Sequence, residues 1–287
     1  MMDKVNIYYF SGTGNSLYIA RELQKRLPEV TLIPMLSLLE NESIIPDAEI
    51  IGLVFPIYLT SLPAPVKQFI GKIRLKQEQY IFSLTTHCGY PGRVDRELDE
   101  LLVKRGKGID CYFAIKMLVN TPKGLVPSFM IKQKWASQIT AEAISDLDAQ
   151  ANKAIDNSVA FILKKGKNAG AYDANPPGFF SMKLKKIIDY ITNKFTAGKP
   201  IEIGFYADAS CNGCGICEKV CLSHKIKMEN GKPLWQKDIH CYYCYACFNL
   251  CPEQAILVKN YTKKDGRYIH PGISMDDISK QKKSLIL

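Results

Sequence analysis

The sequence predicts an α/β protein in two parts, a doubly wound five-stranded parallel sheet followed by a small α+β domain. Two observations support this prediction. In the first 166 residues, short apolar runs typical of strands alternate with stretches of helical spacing. Between residues 211 and 251, eight cysteines form two runs with the same internal spacing. A chain of 287 residues has room for one large domain and one small one.

Composition favours a soluble protein. Apolar residues make up 47% of the chain, which is enough for a packed core. The longest apolar stretch, residues 50–59, is interrupted by Gly52 and Pro56 and falls short of the ~18 residues that a membrane span needs. The chain opens directly into a predicted strand without a signal peptide, so we expect it in the reducing cytoplasm.

The first predicted element is a strand over residues 5–10, which leads into six small or polar residues and then into a helix. The apolar positions of that helix are Leu17, Ala20, Leu23 and Leu27. Because unpaired N–H groups at a helix N-terminus attract anions, we predict an anion site in the loop. Its residues are Ser11, Gly12, Thr13, Gly14, Asn15 and Ser16. A nucleoside triphosphate is disfavoured because the Walker lysine is absent, and a dinucleotide because Leu17 replaces the third glycine.

This loop resembles the phosphate loop of the flavodoxins, which has the form S/T-x-T-G-x-S/T and binds the phosphate of FMN through hydroxyls and amides. The matching residues are Ser11, Thr13, Gly14, Asn15 and Ser16. The resemblance implies that residues 1–166 form a flavodoxin-like, FMN-binding domain with strand order 2-1-3-4-5. In such sheets, ligands bind at the carboxyl ends of the strands, where the order reverses.

The remaining elements of this domain follow from apolar runs and turn residues. They are, in order, strand 31–33, helical stretch 35–39, strand 50–55, helix 63–71, strand 80–86, helix 93–104 and strand 111–117. Thr60 or Ser61 is expected to cap the helix at residues 63–71. A long helix then covers the sheet and ends at residues 164–166. Its apolar positions are Trp135, Ile139, Ile144, Leu147, Ile155, Val159 and Ile162.

Two further loops follow the third and fourth strands. By resemblance to the flavodoxins, the loop of Pro56, Ile57 and Tyr58 lies beside the isoalloxazine ring, and Tyr58 either stacks on the flavin or simply covers the sheet edge. The third loop would place amides near the pyrimidine edge, and Tyr90 is a candidate for stacking. Its residues are Thr86, His87, Cys88, Gly89 and Tyr90. Nucleophilic catalysis by the His–Cys pair is disfavoured, because neighbouring side chains on an extended chain point in opposite directions. Residues 120–130 are expected to form a surface excursion near the flavin edge.

Residues 167–200 are predicted to be a basic linker with a bracing helix. The apolar stripe of that helix consists of Leu184, Ile187, Ile188, Ile191 and Phe195, opposite a lysine-rich face. Such a helix could rest on a membrane surface, but we favour packing between the two domains.

The eight cysteines carry the strongest signal in the chain. Both runs read C-x2-C-x2-C-x3-C, and each cysteine of the second run follows its counterpart by 30 residues. In this pattern, three cysteines of one run and the fourth cysteine of the other ligate the same four-iron cluster. We therefore predict two [4Fe-4S] clusters. The first would be bound by Cys211, Cys214, Cys217 and Cys251, and the second by Cys241, Cys244, Cys247 and Cys221.

Residues 201–260 resemble the two-cluster bacterial ferredoxins, whose terminal Cys-Pro is matched by Cys251 and Pro252. Leu222 departs from the pattern after Cys221, which affects the local loop geometry but not a ligand. Paired zinc ribbons are the main alternative, but they would need two pairs of thiolates for each ion. Residues 201–207 begin the unit, and residues 256–258 can pair with them after the second cysteine run. Aromatic residues, expected to exclude water, are dense here: Phe205, Tyr206, Trp235, Tyr242, Tyr243, Tyr245 and Phe248.

The arrangement as a whole resembles the flavodoxin-ferredoxin fusion proteins of anaerobes, the EFR-type ferredoxins. This resemblance implies an electron relay between the clusters and FMN, which passes electrons to a redox partner protein. Two alternatives stay open: a flavin-dependent oxidoreductase that reduces a small-molecule electron acceptor, and a redox sensor. The tail at residues 261–287 carries no recognisable chemistry.

The net charge of +10 is uneven. Residues 164–199 contribute +6 and residues 259–287 contribute +4. No nucleic-acid-binding motif accompanies this charge, so we do not expect a nucleic-acid partner. Docking of an acidic redox partner, contact with anionic lipid, and a solvated lysine-rich surface all stay open.

Overall fold

The computed structural model describes residues 3–58, 60–89, 91–118, 139–168, 203–259 and 266–283. Tyr90, the predicted excursion at residues 120–130 and the predicted helix through residues 184–195 lie outside these ranges. Trp135 of the predicted long helix lies outside them too. No helix in the described ranges is both long and apolar enough to span a membrane.

The first half is a parallel five-stranded sheet of flavodoxin-like order, β2-β1-β3-β4-β5, which confirms the predicted fold class. Its strands are β1 Val5–Tyr9, β2 Val30–Pro34, β3 Ile50–Pro56, β4 Tyr80–His87 and β5 Cys111–Lys116. Val5 on β1 lies opposite Val30 on one side and Ile50 on the other. Residues 50–55 of β3 are all buried, as expected for a central strand covered on both faces.

Helices cover both faces of this sheet. They are α1 Asn15–Arg26, a 3₁₀ helix at Met35–Leu38, α2 Ala64–Lys72, α3 Val94–Val103 and α4 Ala141–Leu163. In α4 the side chain of Thr140 accepts a hydrogen bond from Ala143 N–H. The helix therefore starts two residues after Ile139, which the sequence had suggested as part of its apolar stripe.

The predicted cap of α2 was wrong. The residue before α2 is Pro63, and no side chain caps the helix. Pro65 stands in the first turn and has no N–H for a cap to bind. The hydroxyl of Ser61 is instead within 3.0 Å of both Glu97 carboxylate oxygens, to which it donates.

The second half is a small unit of short strands and helices. Its elements are β6 Phe205–Ala207, α5 Ile216–Val220, β7 Ile226–Glu229, β8 Lys232–Trp235, α6 Ala246–Asn249 and β9 Ile256–Val258. Strands β6 and β9 pair antiparallel, as the sequence suggested, and β7 and β8 form a hairpin. After β9 the chain returns to the sheet in α7, Met275–Lys280.

The two halves share one apolar core at the carboxyl edge of the sheet. Phe10 and Phe55 from the sheet are fully buried, and residues of the small unit and of the final segment join the same cluster. These residues are Val220, Leu222, Cys244, Ala246, Leu250, Ile273 and Ile278. The small unit therefore packs on the edge where a ligand of such a sheet is expected.

Candidate functional site

The first loop connects β1 to α1. Gly14, the residue before α1, has φ 102°, a left-handed conformation that favours glycine. No side chain caps α1 and its first turn holds no acidic residue, so the helix N-terminus presents positive potential. The Ser11 hydroxyl accepts a hydrogen bond from Gly14 N–H (3.2 Å). The side chains of Ser11, Thr13 and Ser16 are all at most 2% exposed.

Hydrogen bonds join the three predicted loops at one edge of the sheet. The hydroxyls of Ser16 and Thr86 lie 2.8 Å apart, which links the first loop to the third. Ile57 N–H donates to the Thr86 carbonyl oxygen (2.8 Å), which links the second loop to the third. The Asn15 amide donates to the carbonyl of Leu118, just beyond β5.

Tyr58 lies between the first loop and the second cysteine run. Its ring packs edge-on against Phe10, with the ring centres 6.2 Å apart. Its hydroxyl oxygen is buried and has no hydrogen-bond partner in the described part of the chain. Burial raises the pKa of Tyr58 well above its usual value, and Cys244 and Cys241 raise it further.

The third loop is buried at its start and open further on. Burial lowers the pKa of the His87 imidazole, and its Nδ1 has no hydrogen-bond partner among the described residues. Cys88 is exposed, and a side-chain carbon added at Gly89 would meet no atom of the described residues within 4 Å.

The residues at this edge suit an anionic, partly polar group such as FMN. An uncapped helix N-terminus can bind the phosphate. Two buried polar atoms, Tyr58 Oη and His87 Nδ1, have no hydrogen-bond partner among the described residues, and buried polar atoms normally have one. Three loops from neighbouring strands surround the same edge, as in other doubly wound sheets that bind ligands there.

The first set of predicted cluster ligands lines one cavity. This set consists of Cys211, Cys214, Cys217 and Cys251. Burial raises the pKa of the Cys217 thiol to about 11, and the nearby Cys251, Cys211 and Cys214 raise it further. The thiol of Cys251 accepts a hydrogen bond from Ala255 N–H (3.3 Å).

The second set lies deeper in the molecule. Burial raises the pKa of the Cys247 thiol well above its usual value, and the nearby Cys221, Cys241 and Cys244 raise it further. A weaker effect comes from Cys217 of the first set, so the two sites are neighbours. No three His, Cys, Asp or Glu side chains in the described ranges converge as ligands of a single ion would.

The 30-residue repeat extends to the backbone. Helices α5 and α6 begin at residues 216 and 246, each just before the third cysteine of its run. Left-handed residues recur with the same offset, at 213 and 243, at 215 and 245, and at 224 and 254. The first two positions are glycines in the first run but tyrosines in the second.

The second cysteine site touches the first loop. A side-chain carbon added at Gly12 would lie 2.7 Å from the carbonyl oxygen of Cys244 and 2.8 Å from its Cβ. The same carbon would lie 2.7 Å from Tyr58 Oη. Only glycine leaves room for this approach, so Gly12 brings the predicted phosphate loop into contact with a predicted cluster ligand.

Aromatic rings pack around Tyr245, which lies in the second cysteine run. Tyr245 is 3% exposed, and its ring lies edge-on to Phe205 (5.6 Å) and Phe248 (6.5 Å). Phe205 also stacks on Trp235, with the ring centres 6.3 Å apart. These rings cover Tyr245, the residue that follows Cys244.

Sequence reasoning assigned no role to residues 266–283, yet this segment covers the first loop. Gln281, Tyr268 and His270 all hydrogen-bond to loop residues. The one sequence signal was the spacing of Ser274 and Asp277, which form a capping box at the start of α7. It marks a helix start but not the surface on which that helix packs.

Residues 210–256 match a family model described as a 4Fe-4S dicluster domain. No curated protein matches the chain.

Several solved structures are similar to the chain at low identity. One is a flavoprotein in complex with FMN from Lactobacillus acidophilus, with 14% identity over 39% of this chain and 93% of that one and a TM-score of 0.29. An azoreductase from Bacillus anthracis is 12% identical over 56% of this chain and 100% of its own, with a TM-score of 0.36. Rubredoxin oxygen:oxidoreductase from the anaerobe Desulfovibrio gigas is 16% identical over 56% of this chain and 37% of its own, with a TM-score of 0.32. The chain combines a flavodoxin-like sheet with a segment similar to 4Fe-4S dicluster domains.

Proposed function

We propose that this chain is an electron-transfer protein in which two [4Fe-4S] clusters and FMN exchange electrons within one polypeptide. The cluster ligands are the two sets of four cysteines described above. The shared cavity of the first set and the mutual effects on thiol pKa in the second set support this grouping. None of the ten cysteines, all of which lie in the described ranges, is paired in a disulfide, and a reducing compartment such as the cytoplasm is part of the proposal.

The observation that carries the proposal is the contact between Cys244 and Gly12. It joins a ligand of the second cluster to the loop that would hold the FMN phosphate. Electron exchange falls steeply with distance, so a direct contact between the two binding sites favours exchange between their cofactors. The unpartnered hydroxyl of Tyr58 lies at this contact too.

The residues of the three loops have separate roles toward FMN. The hydroxyls of Ser11, Thr13 and Ser16 and the N-terminus of α1 would hold the phosphate. Loop residues 56–58 and 86–90 would line the ring. Bound FMN would supply chemistry that accepts either one electron or two, and so would connect the one-electron clusters to paired-electron reactions.

The test is anaerobic purification followed by iron, sulfide and flavin analysis. We expect about eight irons per chain from two four-iron clusters, together with flavin in a one-to-one ratio. The clusters would then be reduced and the flavin absorbance followed. Clusters that stay reduced without changing the flavin spectrum would refute the relay, and tightly bound zinc in place of iron would refute the ferredoxin assignment.

A second candidate is a flavin-dependent oxidoreductase acting on a small molecule. It is favoured by the exposed Cys88 and by Gly89, which no described side chain covers, in the third loop, because a substrate could approach the sheet edge from that side. Anaerobic turnover with small-molecule acceptors separates this candidate from a carrier that passes electrons only to a protein partner.

A further inference from the structure

Residues 266–283 cross from the small unit to the sheet. The start of this segment is held by the second cysteine run. The guanidinium of Arg267 donates to the Gln254 carbonyl oxygen (2.9 Å), and Tyr268 N–H donates to Asn249 Oδ1 (3.0 Å). From there the chain continues over the first loop and into α7.

Both halves of the molecule hold α7 in place. Asp277 pairs with Arg21 of α1 (2.5 Å), and the neighbouring Asp276 pairs with Lys219 of α5 (2.6 Å). The side chains of Ser274 and Asp277 form a capping box that fixes the start of this short helix. The position of α7 is thus set from two sides.

Gln281 follows α7 and its side chain is completely buried. Its Nε2 donates to the Ser11 carbonyl oxygen (2.8 Å), and its Oε1 accepts from Ser11 N–H (2.9 Å). Ser11 in turn accepts a hydrogen bond from Gly14, the left-handed residue before α1. Gln281 therefore holds both main-chain polar groups of the first loop residue.

Other residues of the segment hold the rest of the loop. His270 N–H donates to the Thr13 carbonyl oxygen (2.9 Å), and the Tyr268 hydroxyl donates to Asn15 Oδ1 (2.7 Å). A side-chain carbon added at Gly14 would lie 2.9 Å from His270 Cβ. The segment thus contacts the loop at Ser11, Thr13, Gly14 and Asn15.

We propose that Gln281 is a positioning residue for the flavin phosphate, which it serves by fixing the main chain of Ser11. The proposal rests on the proposed function, because it takes the loop to be the phosphate site. The neighbouring Lys282 donates to the Cys221 carbonyl oxygen (3.1 Å), so adjacent residues of one segment hold the phosphate loop and a predicted ligand of the second cluster.

The test compares two buried glutamines in the full chain, purified without oxygen. Gln281→Met keeps the side-chain length but removes both hydrogen bonds to Ser11. Gln79→Met is the matched control, because Gln79 is 4% exposed and donates to the carbonyls of Pro46 and Ala48 at the opposite end of β4. Both variants lose a buried amide, but only one of these amides faces the loop.

We expect Gln281→Met to raise the dissociation constant for FMN by roughly tenfold or more, the effect of losing a buried hydrogen bond. Gln79→Met should leave it unchanged. Riboflavin, which lacks the phosphate, should bind both variants as it binds the wild type. An equal loss of FMN affinity in the two variants, or an equal loss of riboflavin and FMN in Gln281→Met, would overturn the proposal.

A second measurement needs no bound flavin. Hydrogen exchange of the amides of residues 11–16 in the flavin-free chain should be faster in Gln281→Met than in the wild type and in Gln79→Met, with the iron content equal in all three. Unchanged exchange in this loop overturns the positioning role. If the wild type binds neither FMN nor riboflavin, the proposed function fails, while the exchange result still decides the role of Gln281.

A milder variant covers the case in which Gln281→Met does not fold. Asp277→Asn weakens the pairing with Arg21 but keeps the side-chain shape. We expect a smaller acceleration of exchange in the same loop and no change at residues 46–48, which Gln79 holds. Exchange in residues 11–16 at the wild-type rate would count against the proposal.

Discussion

The first cysteine run lies near the surface and the second lies against the parallel sheet, although both have the same spacing and the same backbone turns. Cys214 in the first run is exposed, whereas its counterpart Cys244 is buried and contacts Gly12. The cavity of the first site is lined by Glu253 and Asn212 among others, which belong to the small unit. The second site is closed by a different part of the chain.

The two runs also differ in the residues that occupy their left-handed positions. Gly213 and Gly215 adopt φ near 75° without strain, whereas Tyr243 and Tyr245 adopt φ near 55°, where a side chain costs roughly 1–2 kcal/mol. The buried ring of Tyr245 offsets this cost by packing against Phe205. The repeat therefore keeps its turn geometry and changes the residue according to what covers the site.

This comparison suggests a division of roles between the sites. In the proposed relay, an outside redox partner would approach the first site, because two of its cysteines are partly exposed and one is exposed. The second site would exchange electrons with the sheet half through Gly12. Each prediction below tests whether the two sites differ in this way.

Removing one cysteine from each site should have the largest effect. Both Cys214→Ala and Cys244→Ala should lower the iron content from about eight to about four per chain, because each removes a ligand of one cluster. Cys244→Ala should also reduce FMN binding, since losing the second cluster should disturb the Cys244 main chain, whose carbonyl oxygen lies against Gly12. Iron and flavin analysis of anaerobic protein measures both effects, and equal FMN contents in the two variants would argue that the sites do not differ toward the sheet.

Removing the loop hydroxyls should affect the sheet half alone. Substitution of Ser11, Thr13 and Ser16 together by alanine should weaken FMN binding on the order of a hundredfold, because hydrogen bonds to a phosphate are charge-assisted. Both clusters should be retained. Flavin titration and iron analysis measure the two outcomes. Undiminished flavin binding would show that this loop is not the phosphate site.

A methyl group at Gly12 should separate the second site from the sheet. Gly12→Ala would place a carbon 2.7 Å from the Cys244 carbonyl oxygen, a backbone atom that cannot turn away. We expect a loss of about 1–3 kcal/mol in the free energy of unfolding and slower electron exchange between cluster and flavin.

The matched control is Gly71→Ala in α2, where an added carbon meets no atom of the described residues within 4 Å. This substitution should stabilise the chain by ~0.5–1 kcal/mol, because alanine is the better helix former. Chemical denaturation and rapid-mixing absorbance measure both variants. If Gly12→Ala has the stability and the electron-exchange rate of Gly71→Ala, the contact between Gly12 and Cys244 does not explain how the second site couples to the sheet.

At the left-handed positions of the first run, two substitutions separate backbone strain from contact. Gly215 has φ 76°, and among the described residues an added carbon would meet only Met228, at 4.0 Å. Gly215→Ala should therefore lower the free energy of unfolding by about 1–2 kcal/mol through backbone strain alone. Gly213→Ala should cost more, because its added carbon would also lie 2.6 Å from the Gly231 carbonyl oxygen. Denaturation curves rank the two variants, and the reverse order would contradict this account of the turns.

The sheet was predictable because its signals are local. The apolar run of β3 and the small residues between β1 and α1 determine strands and a loop from near neighbours, and the predicted strand order is confirmed. The cap of α2 was mispredicted because a residue distant in sequence competes for the capping side chain. Ser61 has a competing partner, Glu97, on another helix.

The contacts between the halves were not predictable. Gln281 stands among lysines in a stretch that reads as exposed, yet it is buried against a residue 270 positions earlier. The left-handed tyrosines were equally hidden, because Tyr243 and Tyr245 do not favour that conformation. Only their alignment with Gly213 and Gly215, through the 30-residue repeat, carries the signal, because a repeated turn must keep its dihedral angles whichever residue occupies it.

The smallest expected effect concerns two lysines, each of which donates to the carbonyl oxygen of a predicted cluster ligand. Lys282 donates to the Cys221 carbonyl oxygen (3.1 Å) in the partly buried second site, and Lys232 donates to the Cys211 carbonyl oxygen (2.8 Å) in the exposed first site. A unit charge about 10 Å away, at an effective dielectric constant of about 20, contributes ~1–2 kcal/mol. Lys282→Met should therefore lower the potential of the second cluster by several tens of millivolts.

Water and salt screen an exposed charge far more effectively than a partly buried one, so Lys232→Met should shift the potential of the first cluster by much less. Redox titration followed by electron paramagnetic resonance resolves the two clusters in each variant. Raising the salt concentration should diminish the Lys232 effect first, because that ammonium group is in contact with solvent. Equal shifts in the two variants would mean that burial does not distinguish the sites electrostatically, and the difference between the two runs would then lie in packing alone.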